Sequence, residues 1–214
     1  MITGSLQRKV QELSGKTHLA VGIAVTYAVI KPQNLLDFAV GLGICALGSL
    51  LPDIDSGTSK SHRSANKITG AFLILIALMW YLEFRFHVQI ENYLLSNETI
   101  MMKSVGVLLF VGLCAYGRDL PHRTFTHSFM GIILFCGVLA LVVPIRYIPH
   151  FAIGYLTHIL LDVTNTRKIN LFFPMNKGAV CLGWFQSDGL MNGILFICAC
   201  GLGGIEIYRL FVKI

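Results

Sequence analysis

Residues 121–128 read Pro121-His122-Arg123-Thr124-Phe125-Thr126-His127-Ser128, and a long apolar run follows them directly. Two imidazoles, a guanidinium and three hydroxyl groups therefore lie at the start of a hydrophobic segment. An unpaired polar group next to hydrocarbon is costly, so histidines in such a place are usually ligands or acid–base groups. We therefore predict a ligand-binding or acid–base site at the start of a membrane helix. The plainer alternative is a solvated loop between two helices.

The amino-acid composition is that of an integral membrane protein. Of the 214 residues, 55% are hydrophobic and 13% are charged, whereas about 25% are charged in a soluble domain. A full membrane span needs about 20 residues, so the two shortest apolar segments are expected to be tilted or partly embedded. We predict an all-α, polytopic membrane bundle of about six or seven helices in a single domain, 1–214. The apolar segments are 17–30, 35–51, 68–84, 101–117, 128–144, 150–162 and 190–209.

The basic residues predict how the chain is oriented in the membrane. The net charge is +6, but lysine and arginine are spread between the apolar runs and form no block. This distribution favours anionic headgroups as partners rather than nucleic acid. Residues 1–16 are polar and basic without a signal-peptide core, so we expect a retained, amphipathic lead-in on the membrane surface. The positive-inside rule then favours a cytoplasmic N-terminus.

That orientation places seven polar residues on the cytoplasmic side. They come from five separate segments, so nothing forces them onto one face of the membrane. Their convergence predicts a single site, and their side chains are those of metal ligands. The residues are His18, Asp53, Asp55, His122, His127, His158 and Asp162.

Two short motifs within this set have the spacing of metal ligands. The sequence Asp53-Ile54-Asp55 follows a helix that Pro52 helps to end, and in a loop its carboxylates can converge on one or two cations. The alternative is a solvated helix terminus, although acidic groups there oppose the helix dipole. His158 and Asp162 are four residues apart and share a helix face. The alternative for them is a core histidine paired with its own aspartate.

The hydroxyl groups of residues 121–128 suggest a second component of the site. Thr124, Thr126 and Ser128 can cap the following helix, whose free N–H groups would then face the site. A helix N-terminus beside Arg123 suits a phosphate or another oxyanion. Four histidines and three aspartates suffice for one or two divalent ions, with Zn²⁺ or Mn²⁺ favoured over Mg²⁺ by the nitrogen ligands. Such sites activate water for hydrolysis.

A long connection follows the last of these motifs. Residues 163–189 contain Phe172, Phe173, Trp184 and Phe185, interspersed with basic residues. This pattern predicts an interfacial loop that covers the site or admits a lipid. A plain packed loop is the alternative.

Three strings taken together resemble the YdjM family, over about residues 15–190. Its members are bacterial inner-membrane proteins described as metal-dependent hydrolases and linked to the LexA-regulated SOS response. The resemblance implies a membrane-bound hydrolase with a divalent metal and supplies no substrate. The strings are Leu51-Pro52-Asp53-Ile54-Asp55, then His122-Arg123-Thr124-Phe125-Thr126-His127-Ser128, and Gly154-Tyr155-Leu156-Thr157-His158-Ile159-Leu160-Leu161-Asp162.

The sequence thus predicts a metal-dependent hydrolase at the cytoplasmic face of the inner membrane. Its expected substrate is a phosphoester or ester of a lipid or a lipid-linked molecule, because site and lipid would meet at the same depth. Asp55, His127 and Arg123 are the predicted catalytic residues, with Arg123 holding the anion. Two alternatives remain: an ion-coupled transporter, and a non-catalytic membrane regulator with a structural metal site.

Overall fold

The computed structural model describes residues 3–56, 81, 85, 97–175, 178–184 and 190–213. The predicted apolar segment 68–84 lies outside the described residues, apart from residue 81. Within the described ranges the chain is mostly helical, so the predicted all-α class is confirmed. The helices are α1 (Thr3–Val29), α2 (Leu35–Leu50), α3 (Glu98–Asp119), α4 (Phe129–Val142), α5 (Ile148–Thr164) and α6 (Leu190–Lys213).

Short elements connect the helices near the motifs named above. Single 3-10 turns span Leu51–Asp55, Phe125–His127 and Ile145–Tyr147. After α5, strand β1 (Ile169–Asn170) pairs antiparallel with β2 (Ala179–Val180), so that the two strands form a small hairpin.

Side-chain caps fix the starts of three helices. Asn34 accepts a hydrogen bond from the Asp37 backbone N–H at the start of α2, and Asn97 and Ser128 act in the same way on α3 and α4. Each cap satisfies a backbone donor that has no partner within the helix. These positions therefore determine where the connections end.

The N-terminal region differs from the sequence prediction. The lead-in 1–16 and the segment 17–30 were predicted as two units, but α1 runs without interruption from Thr3 to Val29. No proline interrupts this stretch, and Gly15 alone does not break a helix. As a result His18 lies in the middle of α1 rather than at its start.

Two helices in the described ranges are long and apolar enough to cross a membrane. They are Leu35–Asp55, which joins α2 to its 3-10 turn, and Glu98–Asp119. Only 11% of the apolar window of α3 is buried within the protein, so most of that helix needs an apolar environment around it. Helix α4 is also apolar but has 14 residues, fewer than a perpendicular span requires.

Helices α2 and α5 pack backbone to backbone. A Cβ atom added to Gly48 would lie 2.3 Å from the carbonyl oxygen of Phe151, and one added to Gly154 would lie 2.5 Å from that of Cys45. Glycine at both positions lets the two helices approach closely. This contact brings the carboxylates that follow α2 beside His158 of α5.

Replacing Gly48 with alanine is expected to separate these helices. The added methyl group meets backbone, which cannot rotate away, and overpacking of this kind costs about 1–3 kcal/mol. The check is unfolding of the purified protein in detergent. Gly43→Ala is the matched control, because it lies in the same helix with nothing within 4 Å of its added Cβ. Equal stability of the two variants would contradict the close packing.

Candidate metal centre

All seven residues that the sequence placed on one side lie in one cluster. Three groups of three have ligand atoms within 4.8 Å of one another, and His127 and His158 each belong to two groups. The groups are His18, His158 and Asp162; Asp53, His127 and His158; and Asp55, His122 and His127.

Separate elements supply these side chains. His18 comes from the middle of α1, and the 3-10 turn after α2 supplies Asp53 and Asp55. The Asp-x-Asp motif was expected in a loop. The structure instead places it in a helical turn that continues α2, because Pro52 is tolerated in the first turn of such a helix. Helix α5 provides His158 and Asp162.

The hydrogen bonds of His158 fix which nitrogen faces the cluster. Its Nδ1 lies 2.7 Å from the backbone carbonyl oxygen of Ser49. A carbonyl only accepts, so Nδ1 carries the hydrogen and Nε2 carries the lone pair. This Nε2 is buried and has no hydrogen-bond partner among the described residues. It lies 3.7 Å from Asp53 Oδ1 and 3.9 Å from Asp162 Oδ2.

The same assignment follows for His127. The hydroxyl of Thr126 donates to Asp55 Oδ2 at 2.7 Å, so its oxygen can only accept from His127 Nδ1, 3.1 Å away. In the neutral ring, Nε2 of His127 is therefore the nitrogen that presents a lone pair. It lies 3.1 Å from Asp162 Oδ2 without forming a hydrogen bond within the described part of the chain.

The Nε2 atoms of two imidazoles thus face the carboxylates of Asp53 and Asp162 in a buried space. Electron-rich groups this close repel one another unless a cation lies between them. Burial alone lowers the pKa of His127, but its contacts with Asp162 and Asp55 outweigh burial and raise the pKa to about 9. A proton can therefore supply positive charge here, and a divalent cation fits the same donor set. The residues present fit a metal.

His18 lies beside this donor set. Its ring stacks on the ring of His158, with centroids 4.0 Å apart, and its Nε2 is 3.6 Å from Asp162 Oδ1. The side chain is almost fully buried. His18 was the member with the least sequence support, since it stands alone in an apolar segment.

Lone pairs limit how many ions the cluster can hold. His158 Nε2 is shared by two of the three groups, yet one lone pair binds one ion. In the third group the nitrogen of His127 that lies beside Asp55 is Nδ1, 3.4 Å from Asp55 Oδ2, and this nitrogen carries a hydrogen. The hydrogen bonds therefore favour one ion at the two Nε2 atoms, with Asp53 and Asp162 as its carboxylate ligands.

Asp55 and His122 lie at the edge of that centre. One oxygen of Asp55 is 2.6 Å from His122 Nδ1, and the other accepts from the Arg123 backbone N–H and the Thr126 hydroxyl. These bonds favour an orienting role for Asp55, of the kind carboxylates have behind metal-binding histidines. Direct ligation by Asp55 or His122 stays a prediction. The His122 side chain is one-third exposed and marks an approach to the cluster.

Arg123 supplies a fixed positive charge. Its Nη2 lies 3.2 Å from Asp162 Oδ1, and its Nη1 donates to the Arg167 carbonyl oxygen. The residue has a φ of 66°. This backbone conformation is uncommon for residues other than glycine and often occurs at functional sites. The guanidinium is thus a fixed countercharge to Asp162.

The predicted use of the hydroxyl groups is partly wrong. Only Ser128 caps α4, by accepting from the Gly131 N–H. The Thr126 hydroxyl binds Asp55, and that of Thr124 donates to the Pro121 carbonyl oxygen. The N–H groups of Phe129 and Gly131 already have partners, so these two are not the free donors expected for an anion.

Two supporting residues were missed from the sequence. Ser49 acts through its backbone carbonyl, which any residue has, so its side chain gave no signal. Tyr155 is fully buried and donates its hydroxyl to the Thr126 carbonyl oxygen at 2.5 Å, which holds the turn that carries His127. A tyrosine one turn before His158 could have indicated this contact.

Comparison with known proteins gives a family and nothing closer. No curated protein and no solved structure matches the chain. The family model described as YdjM inner membrane protein matches residues 13–212, nearly the whole chain, and confirms the resemblance seen in the motifs. The chain therefore belongs to the YdjM family of inner membrane proteins.

Proposed function

We propose that this protein is a metal-dependent hydrolase that acts on a phosphoester or ester of a lipid or lipid-linked molecule. One observation carries the proposal. The buried Nε2 atoms of His127 and His158 have no hydrogen-bond partner among the described residues and face two carboxylates. In a protein that binds no cation here, buried nitrogens of this kind would be expected to form hydrogen bonds.

The donor set suggests the kind of ion. Imidazole nitrogens with carboxylate oxygens suit Zn²⁺ or Mn²⁺, held by His127, His158, Asp53 and Asp162, with His18 adjacent. Such an ion supplies Lewis-acid chemistry, by polarising an ester oxygen and making a nearby water more acidic. Asp55 keeps His127 in the tautomer that leaves Nε2 free.

Arg123 has a role in substrate binding in this proposal. Its guanidinium now pairs with Asp162, and its buried Nε has no hydrogen-bond partner in the described residues. If Asp162 held a cation, its carboxylate would no longer need Arg123 as a countercharge. The guanidinium is then available to bind an oxyanion with two N–H groups, next to the exposed edge of His122.

The membrane arrangement belongs to the same proposal. We place the chain as a multi-pass protein of the bacterial inner membrane with a cytoplasmic N-terminus and the metal centre at the cytoplasmic face. Large apolar side chains are exposed along α3, α4 and α6, including Leu108, Ile133 and Ile197. Lipid is the environment that such surfaces require. The link to the LexA-regulated response stays a prediction.

Topology can be tested with single cysteines in a cysteine-free background. Lys168 follows α5, at the end of that helix that carries Asp162. Lys103 lies near the N-terminal end of α3, whereas the metal centre lies beyond its C-terminal end. Lys168→Cys is expected to react with a membrane-impermeant thiol reagent only in inverted vesicles, and Lys103→Cys only in intact cells. Labelling of both positions from the same side would contradict the arrangement.

The hydrolase activity needs an assay on the purified full-length protein. We expect a stoichiometric divalent metal and metal-dependent cleavage of a chromogenic phosphoester or a phospholipid presented in detergent micelles. A chelator should abolish the activity, and added Zn²⁺ or Mn²⁺ should restore it. Bound metal without cleavage of any ester in the panel would contradict the hydrolase.

The degree of burial supports a second candidate function, a non-catalytic regulator with a structural metal. His127 and His158 are completely buried, and closed coordination is typical of structural sites. An ion-coupled transporter fits less well, because its ligands are expected near the middle of the membrane. Here the carboxylates follow the end of α2, and Asp162 lies in the last turn of α5.

A further inference from the structure

The segment formed by residues 167–175 and 178–184 exposes several large apolar side chains beside the metal centre. Phe172, Met175, Leu182 and Trp184 are between 46% and 67% exposed. Isolated exposed apolar residues are ordinary, but several together next to a site mark a surface that meets another apolar phase.

Hydrogen bonds hold this segment firmly against the site. The Asn170 N–H donates to the Arg123 carbonyl oxygen at 2.9 Å. Further along the chain, the N–H groups of Leu182 and Trp184 donate to the carbonyl oxygens of Val163 and Thr164 at the end of α5. The exposed side chains therefore have a fixed position relative to Asp162, rather than projecting from a free loop.

The exposed surface continues onto a helix that has no charged residue. The Phe172 ring packs on Phe129, the first residue of α4, with centroids 5.8 Å apart. Phe129, Met130 and Ile133 are themselves exposed on α4. The apolar surface therefore runs from the start of α4 onto the neighbouring hairpin. A surface of this kind is expected where a protein crosses the edge of the hydrocarbon layer.

Positive charge lies next to this apolar surface. Arg167 and Lys168 are both exposed and immediately precede β1. Aromatic and apolar side chains beside basic ones are the combination by which proteins bind the interface of an anionic membrane. A protein partner would leave the continuity with α4 unexplained.

We infer that residues 167–175 and 178–184 form a membrane-interface anchor that selects anionic phospholipid. Phe172, Met175 and Trp184 lie at the level of the headgroups, and Arg167 and Lys168 bind the lipid phosphate. The anchor places anionic headgroups beside the opening at His122. The inference needs neither a bound metal nor hydrolysis, so it can fail or succeed independently of the proposed function.

The fluorescence of Trp184 reports how deeply the anchor lies in the membrane. The chain has two tryptophans, so Trp80→Phe leaves Trp184 as the only one, and Trp184→Phe gives the background. The full-length variants are placed in phospholipid vesicles with bromine either near the headgroup or near the chain end. We expect headgroup-proximal bromine to quench Trp184 more strongly than deep bromine. Quenching by aqueous iodide but by neither lipid would overturn the anchor, and would point to a surface that a protein partner covers.

Lipid selectivity is tested by removing the two basic side chains. The measure is the ratio of Trp184 quenching by brominated phosphatidylglycerol to quenching by brominated phosphatidylcholine. One basic residue near an anionic surface contributes ~1 kcal/mol, so we expect the preference to fall about fivefold for each residue changed to alanine. Alanine at 167 keeps the carbonyl that binds Arg123, so the site is left intact.

Lys103→Ala is the matched control, because Lys103 is exposed at the far end of α3. It should keep the full preference for phosphatidylglycerol. An unchanged preference in the Arg167→Ala, Lys168→Ala double variant would overturn the assignment of the lipid phosphate to these residues.

Discussion

Replacing Asp162 with asparagine should leave the purified protein without metal. The change keeps the size of the side chain but removes the negative charge that faces His18, His127 and His158. Loss of an orienting partner behind a ligand already lowers metal affinity by roughly 10–100-fold, and loss of a ligand should cost more. Metal content by mass spectrometry and affinity by calorimetry measure this directly.

The matched control for this change is Asp119→Asn. Asp119 ends α3, and its side chain is 78% exposed, so its carboxylate has no part in the cluster. This variant should bind metal like the unmodified protein. Metal retained at full stoichiometry by Asp162→Asn would contradict the assignment of Asp162 as a ligand.

Replacing Arg123 with lysine should lower turnover by roughly a hundredfold or more while the bound metal stays unchanged. Lysine keeps the charge but cannot offer two parallel N–H groups to an oxyanion. Losing such a contact costs on the order of 2–4 kcal/mol of transition-state stabilisation, judged from the removal of oxyanion donors. Hydrolysis rate and metal stoichiometry are measured on the same preparation.

Arg167→Lys provides the comparison for that variant. Arg167 contributes its backbone carbonyl to the Arg123 side chain, and that contact survives the change. Its turnover should stay close to that of the unmodified protein. Full activity of Arg123→Lys would remove Arg123 from the mechanism and leave it only as the partner of Asp162.

The residues of the cluster could be predicted from the sequence because short-range spacing within each motif identifies them. His158 and Asp162 share a helix face by their spacing, and Asp53 follows a proline that ends a regular helix. The positive-inside rule then placed these pieces on one side of the membrane. No long-range contact had to be guessed for that step.

The division of roles within the cluster could not be predicted in the same way. Which nitrogen of His127 carries a hydrogen depends on where the Thr126 hydroxyl points, and that follows from the packing of the turn against Asp55. The unbroken helix α1 was also missed. Hydropathy divides it into a polar and an apolar half, but the helical backbone continues through both halves.

The contact between Ser49 and His158 joins positions that are 109 residues apart in the chain. A chain that has formed only α1 to α4 therefore lacks His158 and with it the second imidazole of the centre. The ion-binding geometry can form only after α5 has docked against α2, so metal uptake should be among the last events of maturation. A bound ion would then stabilise the docked pair of helices, and the degree of metal loading would report the fraction of molecules that have finished folding.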